Sequence, residues 1–283
     1  MKPQLEMIAS MAIYGTLSLF IRHIPLASSE VALLRAVIAL GCILLAKGIM
    51  KKPLPIRDMG RDALMLFLSG AAMGFNWIFL FEAYKYTSVS VATLSYYFAP
   101  VIVTAACPLL FKERMTARQL ICSAGATLGL VLVINPGSLE GGDPAKGVMF
   151  GLAAAALYAT VILLNKKITR VSGIDRTALQ FGAAAIVLAP YILLTGGFDF
   201  SGMSASGWLY MLAVGLIHSA LAYVLYFSAL RSLPGQETAV LSYFDPLVAV
   251  LISLTVLAEP VAPVQLAGGA MILGFTLANE IRR

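Results

Sequence analysis

Charge is scarce in this sequence. Charged residues make up 12% of its 283 positions, where a soluble domain carries about 25%. The chain therefore lacks the ionic surface of an ordinary water-soluble globule. Histidine is scarcer still, with His23 and His218 alone. There is no HExxH and no GxSxG, so a metal centre or a Ser-His-Asp triad is poorly supplied and no enzyme chemistry or cofactor is expected. The missing Walker lysine loop argues against an ATP-driven pump within the chain. The three cysteines (Cys42, Cys107, Cys122) form no CxxC pair and lie inside apolar blocks. They read as inert core thiols rather than a disulfide or a metal site. The net charge of +6 does not point to nucleic acid, because the basic residues form no single face; they recur at the ends of apolar blocks.

What is present is apolar residue, 60% of the chain, in blocks close to the 20 or so that a helix needs to cross a bilayer. No period-2 alternation runs through them, which sets aside a membrane barrel. About ten spans are expected, near residues 5–21, 30–47, 62–84, 88–110, 117–134, 147–165, 177–195, 206–229, 237–257 and 264–281. Short connections rich in breakers separate them, such as Lys51-Lys52-Pro53-Leu54-Pro55 and Leu233-Pro234-Gly235. The run from Asn135-Pro136-Gly137 to Asp143-Pro144 divides the halves. The first span is not read as a signal peptide, since no small-x-small site leads into a soluble chain. With the N-terminus inside, sixteen of the 20 Lys and Arg fall in cytoplasmic segments and three outside, with Arg35 within the second span. The positive-inside rule then places both termini in the cytoplasm, in the cytoplasmic (inner) membrane.

A constant offset of 146 maps the second half onto the first. Phe81 falls on Phe227, Tyr97 on Tyr243, Pro100 on Pro246, Glu113 on Glu259 and Gln119 on Gln265. The units are residues 1–136 and 145–283. Five spans is an odd number, so the second unit enters the membrane from the opposite side. The fold expected is all-α and integral to the membrane, ten transmembrane helices in two inverted five-helix repeats. Such a pair can rock around a central site.

The same residues carry a family resemblance. Tyr97-Phe98-Ala99-Pro100, Glu113 and Gln119-Leu120 precede a helix with Gly125 and Gly129. Tyr243-Phe244-Asp245-Pro246, Glu259 and Gln265-Leu266 precede one with Gly268, Gly269 and Gly274. In this the chain resembles the EamA-like transporters of the drug/metabolite transporter superfamily, over almost its whole length. The resemblance implies a cavity lined by spans 1, 3, 4, 6, 8 and 9, with spans 5 and 10 as scaffold. It implies no tightly bound cofactor.

Several residues point independently to the same depth. Pro100 and Pro246 lie midway along spans 4 and 9, where each is expected to kink its helix. Polar aromatics in the bilayer interior need a partner or a cavity. Tyr14, Asn76, Trp77, Tyr97, Tyr158, Tyr223 and Tyr243 are the candidates for lining it. Tyr96 and Tyr97 are adjacent, so one of the two is expected to face inward. Ionisable residues inside spans cost about 2.5–3.5 kcal/mol each. Asp245 stands where the other repeat has Ala99, and is a candidate for a substrate ammonium or a coupling proton. His218 is a candidate for binding or for an internal hydrogen bond. Arg35 meets either a substrate carboxylate or Glu82, as a structural or gating pair; Lys85 is the local alternative for Glu82. Glu113 and Glu259 are expected to cap the helices that follow them. Small residues four apart (Gly125 and Gly129, Ala270 and Gly274) are expected to pack helices closely.

The reading is a secondary transporter of small amphipathic organic metabolites, amino acids or related compounds, exported by alternating access. The alternatives are an organic-cation or small-nutrient carrier, such as one for a quaternary amine, and a non-transporting channel or receptor. The partners expected are a small-molecule substrate, the lipid bilayer and a coupled proton or other ion. Monomer and homodimer stay open.

Overall fold

A computed structural model of the chain describes residues 2–52, 54, 59–60, 62–111, 116–133, 143–168, 170–171, 173–230, 232–233, 241–242 and 244–280. Tyr243 and Glu113 lie outside the described residues. The described elements are all helical. They are α1 Pro3–Gly15, α2 Leu17–Ile21, α3 Ser28–Ile49, α4 Asp62–Tyr86, α5 Val89–Tyr96, α6 Ala99–Phe111 and α7 Ala117–Val133. The second half holds α8 Pro144–Lys167, α9 Gly173–Thr195, α10 Ala205–Gly215, a π-helical stretch Leu216–Leu221, α11 Ala222–Leu230, α12 Phe244–Thr255 and α13 Pro263–Glu280.

Among the described residues, seven helical segments are long and apolar enough to cross a membrane. Three of them are composite: Pro3–Ile21 joins α1 to α2, Val89–Ala106 joins α5 to α6, and Ala205–Tyr226 runs from α10 through the π stretch. Three further apolar helices are shorter: Ala117–Val133, Phe244–Thr255 and Pro263–Ala278.

Local chemistry sets the helix starts. Ser88 accepts the Val91 N–H at 3.2 Å, Ser204 the Gly207 N–H at 3.1 Å and Asp143 the Lys146 N–H at 3.2 Å. The repeat is visible at this level. Gln119 Oε1 accepts the Thr116 N–H at 2.8 Å, and Gln265 Oε1 accepts the Ala262 N–H at 2.9 Å. The two bonds are related by the same 146-residue offset. Gln265 therefore makes the cap expected of Glu259. Glu259 instead accepts the N–H of Val89, at the start of α5, at 2.8 Å. The reason is reach: Gln265 sits one turn inside its own helix, while Glu259 faces across the bundle.

Both prolines correct the kink expected of them. Pro100 is the second residue of α6 and Pro246 the third of α12. A first-turn proline has no intrahelical N–H bond to lose. Span 4 is accordingly interrupted rather than bent: α5 stops at Tyr96 and α6 starts at Ala99.

Packing follows the small residues. α4 lies against α8 and α9, α1 against α11 and α12, and α7 against α13. A side chain on Gly129 would come within 2.6 Å of the Gly268 carbonyl oxygen, so these two glycines bring α7 and α13 backbone to backbone. Gly125 lies under Phe275. Gly274, expected to pack closely, has no neighbour within 4 Å of such a position; Gly268 takes that role, one turn and a half earlier. The largest buried cluster, around Trp77, Phe81 and Phe181, joins α3, α4 and α9.

Candidate functional site

A cavity of about 520 Å³ lies inside the helix bundle. Its wall takes Tyr14 and Gly15 from α1, Arg35 from α3, Asn76, Trp77 and Tyr84 from α4, and Tyr96 and Tyr97 from the α5–α6 break. Tyr158 and Asn165 of α8, Gln180 of α9, Tyr223 and Tyr226 of α11, and Asp245 of α12 add to its polar lining. α7 and α13 contribute none of the lining residues, consistent with their mutual packing. α3 and α9 do contribute, through Arg35 and through Arg176, Thr177 and Gln180. The expected lining from spans 1, 3, 4, 6, 8 and 9 is thus widened by spans 2 and 7.

Asp245 is the carboxylate at the centre of this wall. Its Oδ2 accepts the Tyr97 hydroxyl at 2.7 Å, a bond from one repeat to the other. It sits in the first turn of α12, where helix N–H groups favour a negative charge. Gly15 makes this placement possible. A methyl there would lie 2.7 Å from the Asp245 carbonyl oxygen and 2.6 Å from Val248 Cβ. α1 and α12 can therefore touch only through a residue with no side chain.

The break after α5 overturns the expectation that one of Tyr96 and Tyr97 faces inward. Both line the cavity, because Tyr96 ends one helix and Tyr97 lies before the next. The two rings meet edge to face at 5.7 Å, and Tyr96 lies 5.3 Å from Tyr158. A second aromatic chain runs from Trp77 to Phe181 at 5.6 Å, to Tyr223 at 5.2 Å and to Tyr14 at 5.6 Å. Tyr158 keeps 39% of its surface exposed, and Asn76 donates to the Ala154 carbonyl at 2.6 Å.

His218 and Glu82 are placed elsewhere. His218 is absent from the cavity lining. It is 1% exposed, and its Nε2 lies 3.0 Å from Thr16 Oγ1. Thr16 Oγ1 also lies 2.7 Å from the Ile13 carbonyl oxygen, and His218 Nδ1 lies 3.4 Å from that of Ala213, so the tautomer of the imidazole sets which partner donates. The Thr16–His218 bond ties the π stretch to the break between α1 and α2. Arg35 and Glu82 do not pair. Glu82 takes Lys85, one helical turn on, at 2.8 Å. Arg35 Nε donates to Ser219 Oγ at 2.7 Å and Nη2 to the His218 carbonyl at 3.3 Å. Both acceptors belong to the π stretch, a form of helix frequent at functional sites. The guanidinium lies 4.6 Å from the centre of the Trp77 ring.

Two polar clusters tie elements of the bundle together. In one, Glu259 gathers three elements. It accepts from Val89 N–H and from Ser253 Oγ at 2.8 and 2.5 Å, and forms an ion pair with Arg22. In the other, Gln180 Nε2 donates to Ser69 Oγ at 2.7 Å and to Asn165 Oδ1 at 2.8 Å, and Lys47 pairs with Asp175 of the same helix as Gln180. Sequence patterning did not single out Tyr84, Asn165, Arg176 or Gln180. Their depth near span ends resembles that of an interfacial belt. Among the described residues, no group of His, Cys, Asp and Glu is arranged to hold a metal ion.

Comparison with known proteins fixes the class. The sequence model of the EamA-like transporter family matches twice, over residues 2–135 and 145–279. The chain belongs to the EamA-like transporter family and is a multi-pass membrane protein. It is 30% identical over 253 residues to the uncharacterized transporter YxxF of Bacillus subtilis, covering 88% of this chain and 79% of that protein. It is 27% identical over 228 residues to a protein of Streptantibioticus cattleyicolor named "Probable terminal-alkyne amino-acid exporter", covering 79% and 75%. One crystal structure shares the fold, with a TM-score of 0.63 at 19% identity, covering 98% of this chain and 96% of that one.

Proposed function

We propose that this protein is a secondary active transporter that exports small amphipathic organic metabolites, amino acids or related compounds, across the cytoplasmic membrane by alternating access. One observation carries the proposal. Both repeats build one polar, aromatic-lined cavity, joined at its centre by the Tyr97–Asp245 bond. A carboxylate there costs stability unless it has a use. The resemblance of the chain to a protein named as an amino-acid exporter supports the substrate class.

In this reading the two repeats, residues 1–136 and 145–283, are inverted, and both termini are cytoplasmic. The end tied by Glu259 then faces outward and is shut, while the end at Gln180 leads to the cytoplasm. Outward opening requires Glu259 to release Val89 or Ser253. Asp245 receives a substrate ammonium or a coupled proton.

Counterflow in proteoliposomes tests this. Labelled amino acids and labelled organic cations are offered at two pH values. Saturable exchange of an amino acid is expected. Flux that neither saturates nor exchanges would indicate a channel and overturn the proposal. The tyrosines around Asp245 also suit an organic cation through cation–π contact, which makes the cation panel a necessary second arm.

A further inference from the structure

We infer that Arg35 is the carboxylate-recognition group of this cavity, so that the substrate is a zwitterion with a bulky apolar side chain rather than an organic cation. The inference rests on the transport reading above and sharpens it.

Arg35 is 3% exposed and lines the cavity. A buried guanidinium is costly unless an anion compensates it. Among the described residues Arg35 makes no ion pair. Its hydrogen-bond acceptors there are a hydroxyl and a carbonyl, both neutral. A guanidinium has five N–H groups, so most of the fork is left for an incoming acceptor.

The surroundings fix the group for that task. Trp77 stacks on its face at 4.6 Å, which leaves the in-plane edge for a bidentate carboxylate. Ser219, which holds Nε, itself donates to the Val214 carbonyl at 3.1 Å, so its oxygen is oriented before any substrate arrives. Glu82, the carboxylate expected to neutralise Arg35, is held by Lys85. Asp245 lines the same cavity but bonds Tyr97 and forms no ion pair with Arg35.

Among the described residues the cavity lining thus holds one carboxylate, Asp245, and two guanidiniums, Arg35 and Arg176. Arg176 is turned to the Val171 and Ile168 carbonyls, each at 2.9 Å, so Arg35 and Asp245, which do not meet, are the charges left to face a solute. A solute with a carboxylate and an ammonium satisfies both at once. A cation would answer Asp245 and leave Arg35 uncompensated. Met11, Leu80, Val161 and Ile162 supply apolar wall between the aromatic residues, which suits an aliphatic or aromatic side chain.

The test uses the full chain in proteoliposomes. Counterflow of twenty labelled L-amino acids and of labelled choline and tetraethylammonium identifies the exchanged probe. The methyl ester and the decarboxylated amine of the best amino acid are then offered as competitors. For the wild-type protein both should compete at least about tenfold more weakly than the free acid, because they leave the guanidinium unpaired. Arg35→Gln should lose that discrimination along with most amino-acid exchange. Arg35→Lys should keep part of it, since it retains the charge without the fork. If neither variant folds, as judged by size exclusion and thermal melting, the wild-type ratio of acid to ester still decides.

Equal competition by ester, amine and acid would overturn the assignment, as would an unchanged ratio in a folded Arg35→Gln protein. Exchange of cations alone would overturn it and leave transport standing. No exchange of any probe would remove the transport reading and this one with it.

Discussion

The two proline-led helices at the centre of the bundle are built alike and used differently. α6 begins Ala99-Pro100 and α12 begins Phe244-Asp245-Pro246, each with its proline in the first turn. Ala99 is fully buried and offers a methyl group to the cavity wall. Asp245, 146 residues on, offers a carboxylate to the same cavity. The duplicated scaffold supplies the geometry twice, and one substitution gives the two helices different chemistry. The Tyr97 hydroxyl links the copies, since the first repeat holds the carboxylate of the second.

The comparison is broken most severely by removing the carboxylate. Asp245→Asn should cut counterflow by about 100-fold or more, as loss of one partner of a buried charge contact does, with the protein still folded by size exclusion. Unchanged, still pH-dependent transport would show that the asymmetry has no function. Gly15→Ala comes next. The new methyl group would press on the first turn of α12, costing about 1–3 kcal/mol in thermal stability. Transport should fall with it, whereas the same change at Gly41, inside α3 with open space around it, should not lower the melting temperature.

Tyr97→Phe should weaken exchange by about tenfold, the low end for one hydrogen bond to a charged group. A loss as large as that of Asp245→Asn would mean that Tyr97 contacts the solute itself. The smallest effect is expected from the prolines. Pro100→Ala and Pro246→Ala should each change stability by no more than about 1 kcal/mol, because first-turn prolines break no bond. Of the two, Pro246→Ala should change transport more, being next to Asp245. Equal effects on transport would make both prolines scaffold.

Much of the fold was legible because lipid imposes simple rules. Apolar blocks and basic ends marked the helices, and the 146-residue offset marked the duplication. Tyr14, Asn76, Trp77, Tyr158, Tyr223 and Asp245 could be singled out because polar groups at mid-span need a reason to be there, and each lies on the cavity wall. Less was legible wherever the helix departs from regularity. The break at Tyr97 turned two rings the same way, against the 100° step of a continuous helix. The π stretch Leu216–Leu221 carries no proline or internal glycine to announce it. It drew His218 to Thr16, the internal hydrogen bond that was one of its two readings, and Arg35 to Ser219, away from a pair with Glu82. Glu259 capped a helix 170 residues away because spatial neighbours in a duplicated bundle are not neighbours in sequence.

The most direct measurement asks whether this one cavity is reached from both sides in turn. Cys42, Cys107 and Cys122 are replaced by serine, and Tyr158→Cys is introduced as a cavity reporter. Lys51→Cys and Gly141→Cys, each in the same background, mark the two faces for a membrane-impermeant maleimide. The account predicts opposite sidedness for the two markers. It predicts that the reporter reacts from the Lys51 side, is protected by the exchanged solute, and becomes reactive from the Gly141 side when Glu259→Gln loosens that end. A reporter that labels from a fixed side whatever the solute and whatever stands at position 259 would contradict a cavity that alternates.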